Sequence, residues 1–194
     1  MTTNSKSHSV TDLLDLMKTG KLSAKEYAVD LSEKVKQSEY LNSIKSFNED
    51  SLIESAKVAD QKRASGKGGA LCGVPFVAKD NINSKLFPTT ACTTALMDNV
   101  TASDSPVIDL LTSEDAILGA KANMHELAFG ITSNNVVTGP VKNPHNQEKI
   151  AGGSSGGTAA AVAAGIFPIG LGTCLLYTSP SPRDRTRSRM PSSA

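Results

Sequence analysis

The sequence has little of what marks several protein classes. It contains no tryptophan, few aromatic residues, three cysteines, three histidines and a formal net charge of +1. A chain so close to neutral lacks the electrostatic footprint of a nucleic-acid-binding protein. The cysteines show neither a disulfide framework nor the paired spacing of metal ligands, and the histidines show no ligand spacing either. We therefore expect no metal site and no nucleic-acid partner.

Long apolar runs are also missing. The polar first ten residues lack the hydrophobic region of a signal peptide. Residues 150–182 carry no charge, but they are mostly glycine, alanine and serine and include Pro168, so they would make a poor membrane span. We expect a cytoplasmic protein with no membrane association.

What the chain does contain is a helical first part. Three segments place apolar residues at helical spacing before residue 65. Two of them begin with serine-based capping boxes, at Ser9 and Ser23. The third follows Asp50 and ends in the glycine-rich loop 65–69. These features predict three amphipathic helices.

After this loop the pattern becomes that of an α/β protein. The short apolar run 74–78 predicts a buried strand, and the runs 116–120 and 167–171 predict two further strands. Helices are expected between them, one starting at Pro106 and one near residues 158–164. The apolar set of the helix at Pro106 is Val107, Ile108, Leu110 and Leu111. Strands and helices that alternate in this way are typical of an α/β sheet.

The composition changes abruptly at Thr173. Before it, Arg63 is the only arginine, whereas residues 174–194 hold four arginines and no lysine. This last segment is rich in serine, proline and arginine and has no hydrophobic period, so we expect it to be disordered. A basic tail would explain it, but the abrupt switch favours residues from outside the gene's own reading frame. We therefore divide the chain into a folded part, 1–173, and a non-native tail, 174–194.

The segment IAGGSSGGTAAAVAAG, residues 150–165, runs from a bare glycine-serine loop into a helix. Such a loop offers free backbone N–H groups at the positive end of a helix dipole, where anions bind and oxyanions are stabilised. It fits a phosphate cradle, a catalytic serine or a loop that packs closely against a sheet. Gly152 and Gly157 have the spacing of a P-loop, but the lysine that should follow the last glycine is absent.

Lys79 closes the apolar run GVPFVAK. Burial at the end of a strand lowers the pKa of a lysine and would make it a candidate base. The alternative is a lysine that reaches solvent from the end of a strand. From this residue alone both interpretations stay open.

Several segments together resemble one family. GVPFVAKDNIN, GAKANMHELAFGITSNN, GPVKNPHN, IAGGSSGGTAAAVAAG and GLGT are similar, in this order, to segments of the amidase signature enzymes. Within that family, the motifs resemble those of the indoleacetamide and mandelamide hydrolases. The resemblance runs from the N-terminal helices to Thr173, and it implies part of the mixed α/β/α sheet of that fold, truncated after this point.

The resemblance implies a Ser–cis-Ser–Lys mechanism of amide hydrolysis, for which no metal and no cofactor is expected. Lys79 matches the family's base, and Ser154 matches the serine that relays the proton, after a cis peptide bond from Gly153. Ser155 is expected to help order the loop. Ala128 and Phe129 match positions that line the acyl pocket, and His125 has no role as a base.

The sequence departs from the family where the nucleophile should stand. Family members continue GLGT as DTGGS, whose last serine forms the acyl-enzyme and whose preceding backbone N–H groups form the oxyanion hole. This chain continues as CLLYTS, which puts Thr178 at the place of the nucleophile. We therefore expect the catalytic nucleophile to be absent from this chain and the chain itself to be inactive.

The resemblance also indicates the expected substrate and partners, and it leaves alternative functions open. A small-molecule amide is the expected substrate, and a homodimer is left open. The glutaminase component of a glutamyl-tRNA(Gln) amidotransferase shares the same triad and would need partner subunits. The alternatives outside enzymes are a nucleotide-binding module on the glycine-rich loop and a folded scaffold without hydrolytic activity.

Overall fold

The computed structural model describes residues 8–174 of the chain. It contains five α-helices within this range: α1 Val10–Lys18, α2 Ala24–Gln37, α3 Glu49–Ala64, α4 Pro106–Ser113 and α5 Gly156–Ala163. The strands of the main sheet are β1 Ile44–Phe47, β2 Pro75–Lys79, β3 Ile117–Ala122 and β6 Ile169–Leu171. The short strands β4 Asn134–Asn135 and β5 Gly139–Pro140 pair separately.

The main sheet is mixed. Its strand order is β1-β3-β2-β6, with β2 parallel to both neighbours and β1 antiparallel to β3. The parallel strands are joined through helices, as parallel connections require. The predicted α/β class is therefore confirmed, and β2 lies inside the sheet, where both of its edges are hydrogen bonded.

The alternation of side chains along β2 assigns each face of the sheet. Val77 belongs to the apolar cluster formed with helices α1 to α3 and with Ala161 of α5. Phe76 and Ala78 belong to a second cluster, formed on the other face with Ile108 of α4. Because successive strand residues point to opposite faces, Lys79 leaves the sheet on the face of Val77.

The first helices begin where the sequence predicts. The capping boxes at Ser9 and Ser23 are both formed, each with an acidic residue three positions later. The third helix starts slightly earlier than expected, at Glu49, because the side chain of Asn48 accepts a hydrogen bond from the Ser51 amide and caps it.

One sequence-based expectation needs correction, and one strand was not predicted. Helix α4 buries Ile108 and partly Leu111, but Val107 and Leu110 are exposed, because this short helix contacts the sheet along one narrow stripe. The sequence pattern does not indicate strand β1, because its four residues show no full burial and no clear alternation. Its place is set by pairing with β3.

Candidate active site

Lys79 is the last residue of β2, and its side chain is fully buried. The strand is apolar throughout and lies between two hydrogen-bonded neighbours, so the amine emerges only at its carboxyl end. Helix α5 begins beside this end of the sheet and brings the glycine-rich loop over the lysine. The two features that stand out in the sequence therefore meet in space.

The glycine-rich loop approaches its neighbours too closely for larger residues. A Cβ atom on Gly157 would lie 2.1 Å from the carbonyl oxygen of Asn123, and one on Gly153 would lie 2.8 Å from the backbone of Ile131. The Gly157 amide donates to the Asn123 carbonyl at 3.1 Å. The peptide bond between Gly153 and Ser154 is cis. Close packing thus sets where Ser154 lies.

The amine of Lys79 is surrounded by hydroxyl and carbonyl oxygens. Its Nζ atom lies 2.6 Å from Ser154 Oγ, 2.9 Å from Thr173 Oγ1 and 3.2 Å from the Thr173 carbonyl oxygen. The side-chain amide of Asn81 donates to Thr173 Oγ1 at 3.0 Å. This geometry allows a proton to pass directly between the lysine and the serine hydroxyl.

Burial lowers the pKa of the Lys79 amine toward the range in which it can exchange a proton with the serine hydroxyl. Desolvation lowers the pKa of Lys79 from its ordinary value of 10.5 to about 8. No carboxylate pairs with this amine in the hydrogen bonds found within residues 8–174. Near pH 8 the lysine therefore exchanges between ammonium and amine, which suits a general base.

Ser155 hydrogen bonds to Thr173 through its hydroxyl. Its Oγ atom donates to the Thr173 carbonyl at 3.0 Å and accepts from the Thr173 amide at 3.2 Å. Ser154 and Ser155 therefore differ in their neighbours: the first meets the amine, and the second connects the start of α5 to the chain after β6.

A cavity of about 280 Å³ opens beside Ser154. Its lining is mostly apolar and consists of Ala128, Phe129, Gly130, Ile131, Gly153, Ser154, Thr173 and Cys174. Ala128 is buried, whereas Phe129 is 88% exposed and forms the rim. The cavity gives an apolar group direct access to the Ser154 hydroxyl.

Other polar residues around the site do not stand out in the sequence. Thr173 hydrogen bonds to the amine and Asn81 hydrogen bonds to Thr173, and their signal is their place in the motifs GLGT and KDN. Ser133 Oγ accepts from the Gly156 amide at 3.0 Å. His125 holds the loop through its backbone, since its amide donates to the Ser154 carbonyl at 3.1 Å.

The remaining sequence-based expectations concern metal sites, membrane spans and the C-terminal tail. Within residues 8–174 no group of three His, Cys, Asp or Glu side chains comes together to hold a metal ion. No helix in the same range is long and apolar enough to cross a membrane. Thr178 and the rest of the tail after Cys174 lie outside the described residues.

Comparison with known proteins gives one consistent family. The model of the amidase family matches residues 27–173. The indoleacetamide hydrolase of Rhizobium radiobacter is 42% identical over 165 residues, which are 85% of this chain and 35% of that protein. The A subunit of the glutamyl-tRNA(Gln) amidotransferase of Pseudomonas aeruginosa is 41% identical over 157 residues, 78% of this chain and 31% of that protein.

Solved structures agree with the sequence matches. One amidase crystal structure superimposes with a TM-score of 0.80 at 33% identity, over 85% of this chain and 38% of the other. A bacterial aryl acylamidase of the amidase signature enzymes superimposes with a TM-score of 0.79 at 30% identity, over 84% of this chain and 34% of the other. The chain spans about a third of the length of these relatives. By its motifs, its fold and these matches, the chain belongs to the amidase signature family.

Proposed function

We propose that the protein of which this sequence is part hydrolyses a small amide to a carboxylate and ammonia. The observation that carries the proposal is the 2.6 Å contact between Lys79 Nζ and Ser154 Oγ beside an apolar cavity. A buried amine within hydrogen-bond distance of a hydroxyl that lines a cavity is an arrangement that suits general base catalysis. The similarity to an indoleacetamide hydrolase supports an amide as the substrate class.

Lys79 is the ultimate base in this proposal. In its amine form it accepts the proton of the Ser154 hydroxyl, and Ser154 takes the proton of the nucleophilic hydroxyl in the same movement. That nucleophile attacks the amide carbonyl and forms a tetrahedral intermediate. The proton then returns through Ser154 to the leaving nitrogen, so that ammonia departs and an acyl-enzyme remains. Water resolves the acyl-enzyme by the same proton path.

The remaining residues have supporting roles. Gly153 and Ser155 are proposed to hold the loop, because Gly153 packs against Ile131 and Ser155 binds Thr173 on both sides of its hydroxyl. Ala128 and Phe129 are proposed to receive the acyl group, because both line the cavity beside Ser154. An aryl or other apolar acyl group suits this lining.

We further propose that the 194-residue chain has no hydrolytic activity by itself. Its sequence continues GLGT as CLLYTS, where family members carry the nucleophilic serine. Loss of the nucleophile alone removes most of the rate enhancement of a serine hydrolase. Hydrolysis by this chain that disappears in Lys79→Met would contradict this part of the proposal.

The activity itself is best tested in a chimera. Residues 1–173 would be joined to the remaining part of the Rhizobium radiobacter indoleacetamide hydrolase, and ammonia release from indoleacetamide would be measured. We expect hydrolysis, and we expect its loss in the chimera that carries Lys79→Met. Hydrolysis that is unchanged in the folded Lys79→Met chimera would exclude Lys79 as the base.

The glutaminase component of an amidotransferase is the second candidate. It is supported by the 41% identity to the amidotransferase protein of Pseudomonas aeruginosa. Its substrate would be glutamine, and it would pass the ammonia to partner subunits. Glutamine-dependent ammonia production that appears only when such subunits are added to the chimera would favour this candidate over free amide hydrolysis.

A nucleotide-binding function finds less support. The amides of Gly156 and Gly157, which a phosphate would use at the start of α5, donate instead to Ser133 Oγ and to the Asn123 carbonyl. Because these two N–H groups already donate to protein oxygens, they are not available to bind a phosphate. Titration of the chain with ATP and magnesium is expected to show no binding.

A further inference from the structure

Ser154 lies between the apolar cavity and the lysine. It is one of the residues that line this cavity of about 280 Å³, and its side chain is half-buried. Lys79 is fully buried and is not part of that lining. A molecule in the cavity therefore meets the serine before it meets the amine.

The two oxygen atoms of Thr173 set the direction in which the amine meets the serine. Lys79 Nζ lies 2.9 Å from Thr173 Oγ1, 3.2 Å from the Thr173 carbonyl oxygen and 2.6 Å from Ser154 Oγ. The three N–H groups of an ammonium thus find one acceptor each. In the neutral amine, the two N–H groups keep the oxygens of Thr173, and the lone pair then points at Ser154 Oγ.

Thr173 is itself held from two sides. Its hydroxyl accepts a hydrogen bond from the Asn81 side-chain amide at 3.0 Å, and its carbonyl oxygen accepts one from the Ser155 hydroxyl at 3.0 Å. The Thr173 amide donates back to Ser155 Oγ at 3.2 Å. A base that a third group orients, within hydrogen-bond distance of a hydroxyl, is the arrangement that activates a nucleophile.

The surroundings of Ser154 limit the acyl donors that it can attack. The amides of Gly156 and Gly157, at the start of α5, already donate to Ser133 Oγ and to the Asn123 carbonyl oxygen, so they are not available to stabilise an oxyanion. The tetrahedral intermediate must therefore collapse quickly, which requires a leaving group that departs as a stable anion. An activated aryl ester has such a leaving group, whereas an amide has none.

We propose that Ser154 of this chain is itself an acyl acceptor, which takes an acyl group from activated aryl esters with Lys79 as the base. The inference rests on the proposed role of Lys79 as a base, and it assigns to Ser154 a reaction besides proton transfer. The reaction is stoichiometric, because the ester that it forms on Ser154 has no activated leaving group. It therefore gives the chain no hydrolytic activity.

The step transfers one acyl group and one proton. Lys79 Nζ, as an amine, takes the proton of the Ser154 hydroxyl while Ser154 Oγ forms a bond to the carbonyl carbon of the ester. The bond from that carbon to the leaving oxygen then breaks, and the leaving group departs with the bonding electron pair as a phenolate. The proton passes from Lys79 to solvent, and the acyl group stays on Ser154.

Two neighbouring groups also react with activated esters. Lys79 carries an amine, and Cys174, which lines the cavity, carries a thiol. Cys174 is also the ionisable group that acts on Lys79, and burial lowers the pKa of Lys79 to about 8. The position of the acyl group therefore decides between Ser154 and these two neighbours.

The test is acetylation of the full 194-residue chain by p-nitrophenyl acetate at about pH 8. Tandem mass spectrometry of proteolytic peptides, sampled over time, gives both the residue that carries the acetyl group and the rate. The urea-unfolded chain at the same pH is the reference, since Ser154 is an ordinary serine there. Lys79→Met removes the base. Lys62→Met is the matched control, because it removes a lysine from an ion pair with Asp115 at the surface.

We expect the acetyl group on Ser154, with a rate at least about 10²-fold above that of the same serine in the unfolded chain, the usual contribution of a general base. Lys79→Met should lower the rate at Ser154 by at least about tenfold, and Lys62→Met should leave it unchanged. In the wild-type chain the rate should rise with pH and level off above about pH 8, because the reaction needs the amine form of Lys79.

Acetylation of Ser154 that is no faster in the folded than in the unfolded chain overturns the proposal. An acetyl group on Lys79 or Cys174, with Ser154 unmodified, overturns it as well. If Lys79→Met does not fold, the pH profile of the wild-type chain decides. A rate that keeps rising in proportion to hydroxide up to about pH 9.5 excludes Lys79 as the base of this reaction.

This experiment and the chimera can fail independently. A chimera that hydrolyses indoleacetamide through Lys79, together with a chain whose Ser154 stays unmodified, removes only this inference. A chain that is acetylated on Ser154, together with a folded chimera that leaves indoleacetamide intact, removes the proposed function and keeps Ser154 as an acyl acceptor.

Discussion

Lys79 and Ser154 are 75 residues apart in the chain, yet their Nζ and Oγ atoms lie 2.6 Å apart. The contact is made by two independent pieces of the fold. Strand β2 delivers the lysine at its carboxyl end, and the loop before α5 delivers the serine. Both pieces lie within the described residues 8–174.

The two loop serines should respond differently to substitution. The Ser154 hydroxyl contacts the amine, whereas the Ser155 hydroxyl hydrogen bonds to the backbone of Thr173. In the chimera described above, Ser154→Ala should lower kcat/KM by about 10²–10⁴-fold, the usual contribution of a proton-transfer group. Ser155→Ala is the matched control and should lower it less. Equal losses in both variants would mean that the loop matters only as a scaffold.

Hydrolysis should depend on pH through Lys79. The base acts as an amine, and burial lowers its pKa to about 8. The value of kcat/KM in the chimera should therefore rise with pH and level off above about pH 8, because kcat/KM reports the free enzyme. A profile that is flat between pH 6.5 and about 9 would show that no group with this pKa controls the reaction.

The same lysine should make stability depend on pH. The pKa of Lys79 is lower in the folded chain than its ordinary value of 10.5, so the unfolded chain binds more protons between about pH 8 and 10.5. Stability then increases with pH across this window, and the cost of burying the amine is fully present below it. Urea unfolding at several pH values should show this increase, and its slope should be smaller in Lys79→Met.

Gly157 should be the least tolerant glycine of the loop. A Cβ at this position would lie 2.1 Å from the Asn123 carbonyl oxygen and 2.6 Å from that of Ser43, and backbone atoms cannot move away cheaply. Gly157→Ala should lower the free energy of unfolding by at least about 2 kcal/mol. Gly66→Ala is the control: it has positive φ but open space, and should cost about 1 kcal/mol. Equal costs would contradict the packing argument.

Phe129 should matter for the substrate and little for the fold. Its side chain is 88% exposed and forms the rim of the cavity. Phe129→Ala should change the free energy of unfolding by less than about 0.5 kcal/mol. In the chimera it should raise KM for an aryl amide more than for acetamide. A marked loss of stability would place the ring in the core instead.

Much of this arrangement could be predicted from the sequence, because its signals are local. Capping boxes and apolar periods located the helices, and the apolar run before Lys79 located the central strand. Strand β1 could not be predicted, since its four half-buried residues take their place only by pairing with β3. The exposure of Leu110 has a similar cause: only packing decides which apolar residues of a short helix face the sheet.

The candidate site, like the fold, could be predicted from the sequence only in part. Taken alone, the residues pointed to Lys79 and Ser154 separately, and only the family resemblance implied that they act together, because their contact depends on the order of the strands. The ion pair of Lys121 and Asp80, whose Nζ and Oδ1 atoms lie 3.7 Å apart, gave no signal in the sequence, because the 40 residues between them conceal that β2 and β3 are neighbours. Buried charges become visible only when their surroundings are known.

The most direct test of the account is the protonation midpoint of Lys79 in the folded 194-residue chain, measured by NMR on labelled lysine side chains. The account predicts a midpoint near 8, as given by the burial of the amine, and a change in the Lys79 Nζ signal in Ser154→Ala. A midpoint at or above the ordinary value of 10.5, with a signal that Ser154→Ala leaves unchanged, would contradict it.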